Sequence, residues 1–254
     1  MSYVLSFSGG VDSTSLLLKL LSKKVNVYAL TFDYGQKHRI EIEFAKKNIK
    51  LLQDYGYKID HQIINVSDLV TILQSSLTDK NISVPEGHYL NKNMKSTFVP
   101  NRNAIFSSIV YGYCLSIFKK HQSLVTLSLG VHSGDHAIYP DCRPEFYDQI
   151  MKAFKIGNWD SEHINIYLPY INLFKSDIIK DGIKSCKALN LDYKKIYRNT
   201  LTTYSPDKDG FSDGKTGSDI ERILAFNSIG LKDPGLYSKS WEDILENAIK
   251  SKNG

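Results

Sequence analysis

A short apolar run, Tyr3–Phe7, ends directly in Ser8-Gly9-Gly10-Val11-Asp12-Ser13-Thr14, and a leucine-rich helical pattern follows at once. No other stretch restricts the fold so much. It demands a strand, a very tight turn and a helix that starts where the strand stops. The glycine pair lets the backbone turn sharply and approach a ligand closely. The first N–H groups of the helix and its partial positive end favour an anion, and Ser8, Ser13 and Thr14 add hydroxyl donors. Asp12 does not suit a bare anion; it makes sense if Mg²⁺ accompanies phosphate groups. The plain alternative is a strand–helix turn with a Ser or Asp cap.

The same alternation continues along the chain. Strand candidates are Tyr3–Phe7, Val25–Phe32, Lys58–Val66, Leu124–Val131 and Ile164–Leu168. Helical patterns fall at Ser13–Leu21, Glu41–Tyr55, Leu69–Leu77, Arg102–Phe118, Pro144–Phe154 and Lys175–Leu189. Strands alternating with helices imply βαβ units. The expected fold is α/β, a Rossmann-like parallel sheet of about five strands flanked by helices, with a small helical C-terminal appendage. Residues 1–200 would form the main domain. Residues 201–254 would form a loop, Thr203–Gly217, and the helices Asp219–Phe226 and Trp241–Ile249. The polar stretch Thr78–Pro100 reads as a long functional or mobile loop.

With 254 residues, 42% of them hydrophobic, the chain can bury one large core. Its net charge of +5 suits an anionic ligand, but no basic block marks a nucleic-acid surface. Cys114, Cys142 and Cys186 are widely spaced and include no CxxC pair, which leaves a disulfide framework and a thiolate zinc site unsupported. The longest near-apolar run, Ala104–Phe118, is too short to cross a bilayer. No charged leader pattern precedes Tyr3, so a cytoplasmic location without membrane contact is expected. Gly210–Thr216 imitates a Walker loop but has three residues between its glycines where four are needed, and no strand precedes it.

The pattern SGGxDS resembles the PP-loop of ATP pyrophosphatases. Further segments narrow the match: Thr31-Phe32-Asp33-Tyr34-Gly35-Gln36-Lys37-His38, Ser96-Thr97-Phe98-Val99-Pro100-Asn101-Arg102-Asn103, Gly130-Val131-His132, Tyr139-Pro140-Asp141-Cys142-Arg143-Pro144, Leu168-Pro169 and Lys175-Ser176-Asp177. In this order, from residue 3 to about residue 230, the set resembles the QueC family of 7-cyano-7-deazaguanine synthases. The resemblance implies ATP and Mg²⁺ as partners of the chemistry and 7-carboxy-7-deazaguanine as substrate. The carboxylate is adenylylated, ammonia gives an amide, and the amide is dehydrated to a nitrile. By position, Ser8, Gly9, Gly10, Asp12, Ser13 and Thr14 would hold pyrophosphate, with Asp12 reaching the metal through it. Thr31, Phe32 and Asp33 would meet adenine, and Arg102, Asn103 and Gly130 would line the nucleotide. Phe98, Arg102, Tyr139, Asp141, Cys142 and Arg143 would face the deazaguanine. Asp12, Ser13 and Lys175 would carry catalysis. A homodimer is implied, with the aromatic stretch Tyr237–Trp241 as a possible interface. Taken singly, Asp33-Tyr34-Gly35 is also compatible with a turn, and Arg102, Lys175 and Asp177 with surface or helix-start charges. Cys142 reads as a structural or substrate-lining thiol rather than a nucleophile paired with His132 or His136.

Three segments depart from the family pattern. Its four zinc-binding cysteines are replaced by Thr203, Asp213, Thr216 and Asp219, a set that cannot take over from thiolates, so no structural zinc is expected. Asn101 stands where glycine is usual; asparagine tolerates left-handed backbone angles. Between Val131 and Tyr139 the chain reads His132-Ser133-Gly134-Asp135-His136-Ala137-Ile138 and keeps only the acid of the family pattern. These changes lead us to expect an altered acceptor, a protein amine in an antiphage-defence setting resembling type IV CBASS systems, ahead of nitrile synthesis with ammonia. A non-catalytic nucleotide-binding module is the expectation of a different class, and intact Asp12, Ser13 and Lys175 speak against it.

Overall fold

The structure is a computed structural model that describes residues 1–70, 72–88 and 92–253. Five strands, β1 (Ser2–Ser6), β2 (Asn26–Asp33), β3 (Ile59–Asn65), β4 (Val125–Ser128) and β5 (Ile164–Tyr167), form one sheet in the order β3-β2-β1-β4-β5. Every pairing is parallel; Val4 lies opposite Tyr28 on one side and Leu127 on the other. The expected α/β fold is therefore the one observed.

Side chains of β1 alternate between two cores, as the two-residue period of a strand requires. Tyr3, Leu5 and Phe7 enter a cluster with Leu16, Leu17 and Leu20 of α1 (Val11–Ser22) and Ile178 of α6 (Lys175–Ala188). Val4 enters the opposite cluster with Val110, Tyr111 and Cys114 of α4 (Arg102–His121) and Met151 of α5 (Pro144–Gly157). Burial on both faces accounts for the apolar character of β1 and β4. Helix α2 (Glu41–Asp54) covers β2 and β3.

Helices α1 and α6 lie side by side. Ser15 Oγ and the Tyr197 hydroxyl are 2.7 Å apart, and a Cβ on Gly182 would collide with both groups. That close approach is what the glycine in α6 permits. Tyr197 belongs to α7 (Tyr193–Arg198), a short helix that periodicity does not reveal and that Asp192 caps through the Lys194 N–H.

Beyond Val66, the expected helix Leu69–Leu77 is not formed as such. A single turn, α3 (Ser67–Val70), is followed by turns; residue 71 lies outside the described residues. Hydroxyls take over the main-chain partners: Ser75 Oγ donates to the Ser96 carbonyl, and Thr78 Oγ1 to that of Leu73. Such bonds compete with a helix. Thr78–Pro100 has a 3₁₀ turn at Lys92–Thr97, and it is tied to the C-terminal loop by the Gly87 N–H donating to the Lys215 carbonyl.

The last helices, α8 (Gly217–Ser228) and α9 (Trp241–Asn253), pack on the sheet's α1–α6 side. Phe226 and Ala225 join Val11, Ile179 and Tyr197 in one cluster. Arg222, 3% exposed, forms a two-bond pair with Asp233 and donates to the Tyr197 and Thr200 carbonyls. Tyr237 and Trp241 are used within the chain: the Tyr237 hydroxyl donates to Asp233, and both rings pack against the α8–α9 cluster. The aromatic stretch is thus engaged internally. No helix among the described residues is long and apolar enough to cross a membrane.

Candidate active site

The strand order reverses direction between β1 and β4, and open α/β sheets bind ligands at the carboxyl ends of strands at such a point. A cavity of about 250 Å³ opens there. Gly9, at φ +83°, makes the turn out of β1; a Cβ on it would come within 2.8 Å of Ala45 Cβ. No side chain caps the start of α1, so its first N–H groups remain directed into the crevice. Ser8 Oγ and Ser13 Oγ stand 3.1 Å apart at its edge. From the β4 side Gly130 touches the loop: a Cβ there would lie 3.2 Å from the Asp12 carbonyl carbon and the Ser13 nitrogen.

Helix α6 also starts at the cavity, and its first residue is Lys175. Lys175 Nζ lies 3.2 Å from Asp12 Oδ2 and 2.8 Å from Glu221 Oε2. Burial disfavours the ammonium, but Asp12, Glu221 and Asp135 outweigh it and hold Lys175 well above its ordinary range. Burial likewise works against ionised Asp12, yet Lys175 and His132 keep its carboxyl below the usual range. Asp12 Oδ1 is buried and makes no hydrogen bond. An unpartnered carboxylate oxygen beside an uncapped helix start fits a phosphate-bound Mg²⁺.

The opposite wall carries Glu41 and His38, to which reading the sequence gave no role, beside Arg102 and Phe32, which it expected. Glu41 lies at the start of α2, accepts from Gln36 Nε2 at 2.7 Å and is pushed up to about 7 by burial. His38, 3.5 Å from Glu41, is pushed down to about 3 by burial and is neutral. Arg102 donates to the Tyr34 hydroxyl at 3.2 Å, and burial pushes that phenol up to about 12. Phe32 stacks on Phe106, with ring centroids 4.1 Å apart. His38 ends the Thr31–His38 segment and Glu41 follows it closely, but helical periodicity alone accounts for Glu41 as an ordinary first-turn acid.

Of the residues expected at the site, Ser8, Gly10, Asp12, Ser13, Thr31, Phe32, Arg102, Asn103, Gly130, Cys142 and Lys175 line the cavity. The others do not. Gly9 and Thr14 support the loop from behind, with Thr14 fully buried. Asp33 turns away because Arg39 takes its carboxylate. Asp141 accepts the Asn103 N–H at 3.4 Å and so holds the start of α4. The Tyr139 hydroxyl meets Thr97 Oγ1 at 2.6 Å, and Phe98 packs beside that ring. Arg143 is exposed and donates to the His136 carbonyl. Thr31 lines the cavity, but its hydroxyl donates to the Phe7 carbonyl. Cys142 Sγ accepts from Asn103 Nδ2, and burial pushes its thiol well up, which is inconsistent with a thiolate nucleophile. Asn101 adopts φ +59°, the left-handed geometry anticipated for it. Lys215, in the Walker-like stretch, pairs with Glu86 and Asp213 and not with the cavity.

The four positions aligned with the family's cysteines are bonded among themselves or to neighbours. Asp219 Oδ2 accepts from Thr203 Oγ1 at 2.8 Å, from Thr216 Oγ1 at 2.5 Å and from the Thr216 N–H at 3.2 Å. Thr216 and Asp219 together form a capping box for α8. Asp213 stands apart, paired with Lys215.

The sequence model of the family described as "Queuosine biosynthesis protein QueC" matches residues 2–230. A 7-cyano-7-deazaguanine synthase of Psychromonas ingrahamii is 42% identical over 92% of this chain and 96% of its own. A protein of the same name from Methanoregula boonei is 42% identical over 93% of this chain and 99% of its own. A solved NMN synthetase of Francisella tularensis covers 99% of this chain and 85% of its own at 17% identity and a TM-score of 0.39. A match over nearly the whole chain, on a parallel sheet whose SGGxDS loop lies at the strand-order reversal, leads to one conclusion: this chain belongs to the QueC family.

Proposed function

We propose that this chain uses ATP to activate the carboxylate of 7-carboxy-7-deazaguanine and passes it to ammonia, ending in the 7-cyano product. The observation that carries the reading is the convergence of two helix starts on one cavity. Uncapped α1 brings Asp12 and Ser13, and α6 brings Lys175. In the first step a substrate carboxylate oxygen attacks the α-phosphorus and pyrophosphate leaves. Ammonia then displaces AMP to give an amide; the amide oxygen attacks the α-phosphorus of a second ATP, pyrophosphate leaves again, and loss of AMP, which carries that oxygen away, together with the two amide protons leaves the nitrile. Mg²⁺ would be held through the phosphates near Asp12 and would neutralise charge growing on the leaving pyrophosphate. The N–H groups of α1 and the hydroxyls of Ser8 and Ser13 orient the phosphates, while Lys175 offers a fixed positive charge beside them. At the far wall, Arg102 and Glu41, which line the same cavity, would meet the polar edge of a deazaguanine, since a carboxyl group titrating near neutrality can accept or donate.

Ammonia is preferred over a protein amine as acceptor. Loss of four thiolates was the largest of the changes that pointed to a protein acceptor. The Thr203–Thr216–Asp219 bonds give that region internal order of another kind, and the relatives' names fit nitrile formation. We infer that no structural zinc orders residues 203–219, because the oxygens there are spent on one another. Residues 201–254 are read as the appendage that closes this side of a domain spanning 1–200, acting as a homodimer in the cytoplasm. The test is incubation with ATP, Mg²⁺ and 7-carboxy-7-deazaguanine, with ammonia or with candidate acceptor proteins, followed by mass spectrometry. Nitrile and AMP are expected from the ammonia arm; a conjugate only in the protein arm would reverse the choice of acceptor. Asp12→Ala should abolish AMP release, and unchanged turnover would refute the role given to Asp12.

A further inference from the structure

Behind the phosphate loop lies a compact group of ionisable side chains that the chemistry above uses only in part. One ligand atom from each of His132, Asp135 and Glu221 lies within 4.8 Å of the others. His132 is 1% exposed, and its Nε2 makes no hydrogen bond. That nitrogen points between Asp135 Oδ2, 3.5 Å away, and Asp12 Oδ2, 3.7 Å away. Both distances are too long for hydrogen bonds. They match the separation of two donors on one small cation: ligands ~2.1 Å from a tetrahedral ion stand about 3.4 Å apart.

Charge supports the same reading. The carboxyl groups of Asp12, Asp135 and Glu221 outnumber the one ammonium set among them, that of Lys175, in a place with little solvent. Buried charge of one sign is costly unless a counter-charge enters. From these observations we infer that His132, Asp135 and Glu221, with Asp12 at the edge, bind a divalent first-row transition-metal ion. An imidazole nitrogen in the donor set separates this ion from Mg²⁺, which prefers oxygen. Nδ1 of His132 now accepts the Gly134 N–H at 3.1 Å, which puts the proton of the neutral ring on Nε2. Ligation through Nε2 moves that proton to Nδ1; the bond from the Gly134 N–H then gives way, and Glu221 Oε1, 3.9 Å away, is the nearby carboxylate oxygen to accept from Nδ1–H. The site does not depend on ATP chemistry, and it can be tested without nucleotide.

The test is titration of the nucleotide-free full chain with Mn²⁺, read by electron paramagnetic resonance. One equivalent per chain should lose the free-ion signal, excess Mg²⁺ should compete poorly, and pulsed spectra should carry ¹⁴N modulation from a directly bound imidazole. His132→Asn and Asp135→Asn should each weaken binding at least about tenfold, with melting curves recorded alongside. The inference is overturned if the wild-type chain leaves millimolar Mn²⁺ free or binds it without nitrogen modulation. Equally tight binding by folded His132→Asn also overturns it. The wild-type spectra decide the matter even if neither variant folds. Because no ATP is present, loss of this site and loss of the adenylylation reading are separate outcomes.

Discussion

Replacing Asp219 with alanine should cost this protein far more stability than replacing it with asparagine. The carboxylate is 2% exposed and accepts three bonds through one oxygen, from the Thr203 and Thr216 hydroxyls and the Thr216 N–H. Alanine removes half of the capping box, worth about 1 kcal/mol. It strands the buried Thr203 hydroxyl, at about 1–3 kcal/mol. The Thr216 hydroxyl loses less, because Ser218 Oγ remains 3.0 Å away. The sum is about 2–4 kcal/mol, or roughly 4–16 °C in melting temperature for a chain of this length. Asparagine keeps an acceptor in the same place and should cost about 1 kcal/mol. Thermal melting followed by circular dichroism, with denaturant midpoints as a check, measures both. If Asp219→Ala melts within about 2 °C of the wild type, or if the two variants coincide, the account of how this loop is ordered without thiolates is wrong.

Three further outcomes follow from the site. Burial raises the folded-state pKa of Glu41 from 4.5 to about 7, so its proton stabilises the native state below pH ~4.5, and that contribution is lost as pH rises through 7. Glu41→Gln should remove up to about 3 kcal/mol of pH-dependence between pH 4.5 and 8; His38, shifted the opposite way to about 3, tilts both proteins alike below pH 6.5, so parallel wild-type and variant curves of midpoint against pH would contradict the assignment. A methyl group on Gly130 would press on the backbone of Asp12 and Ser13, so Gly130→Ala should lower AMP release about tenfold or more with little change in melting temperature; full activity would show the loop tolerates displacement. Elemental analysis should find no zinc ordering residues 203–219, and stoichiometric zinc that persists in His132→Asn would refute that.

The sheet was legible because both signals that specify it are local: apolar runs of strand length, and a glycine turn at the end of the first run. The glycine-loop end of the cavity was legible for the same reason, since Asp12 and Ser13 sit within one turn of the glycines. Asp33 and Asp141 do not line the cavity, because a motif gives neighbours in sequence but not the direction of a side chain; Arg39 and Asn103 decide where those carboxylates go. Glu41, His132 and Glu221 come from three separate segments, and only the closed fold brings them to one cavity or its rim. The missed helix Tyr193–Arg198 is too short for its period to register, and the expected one at Leu69–Leu77 lost to serine and threonine side chains bonding the main chain.

The seat between α1 and α6 has a consequence far from Gly182 itself. Asp12 and Lys175 stand at the first turns of two rods clamped to each other at mid-length by Ser15, Gly182 and Tyr197. Their separation is set by that clamp, as the tips of tweezers are set by the rivet. A bulkier residue at position 182, which does not line the cavity, should therefore spread these two charges apart.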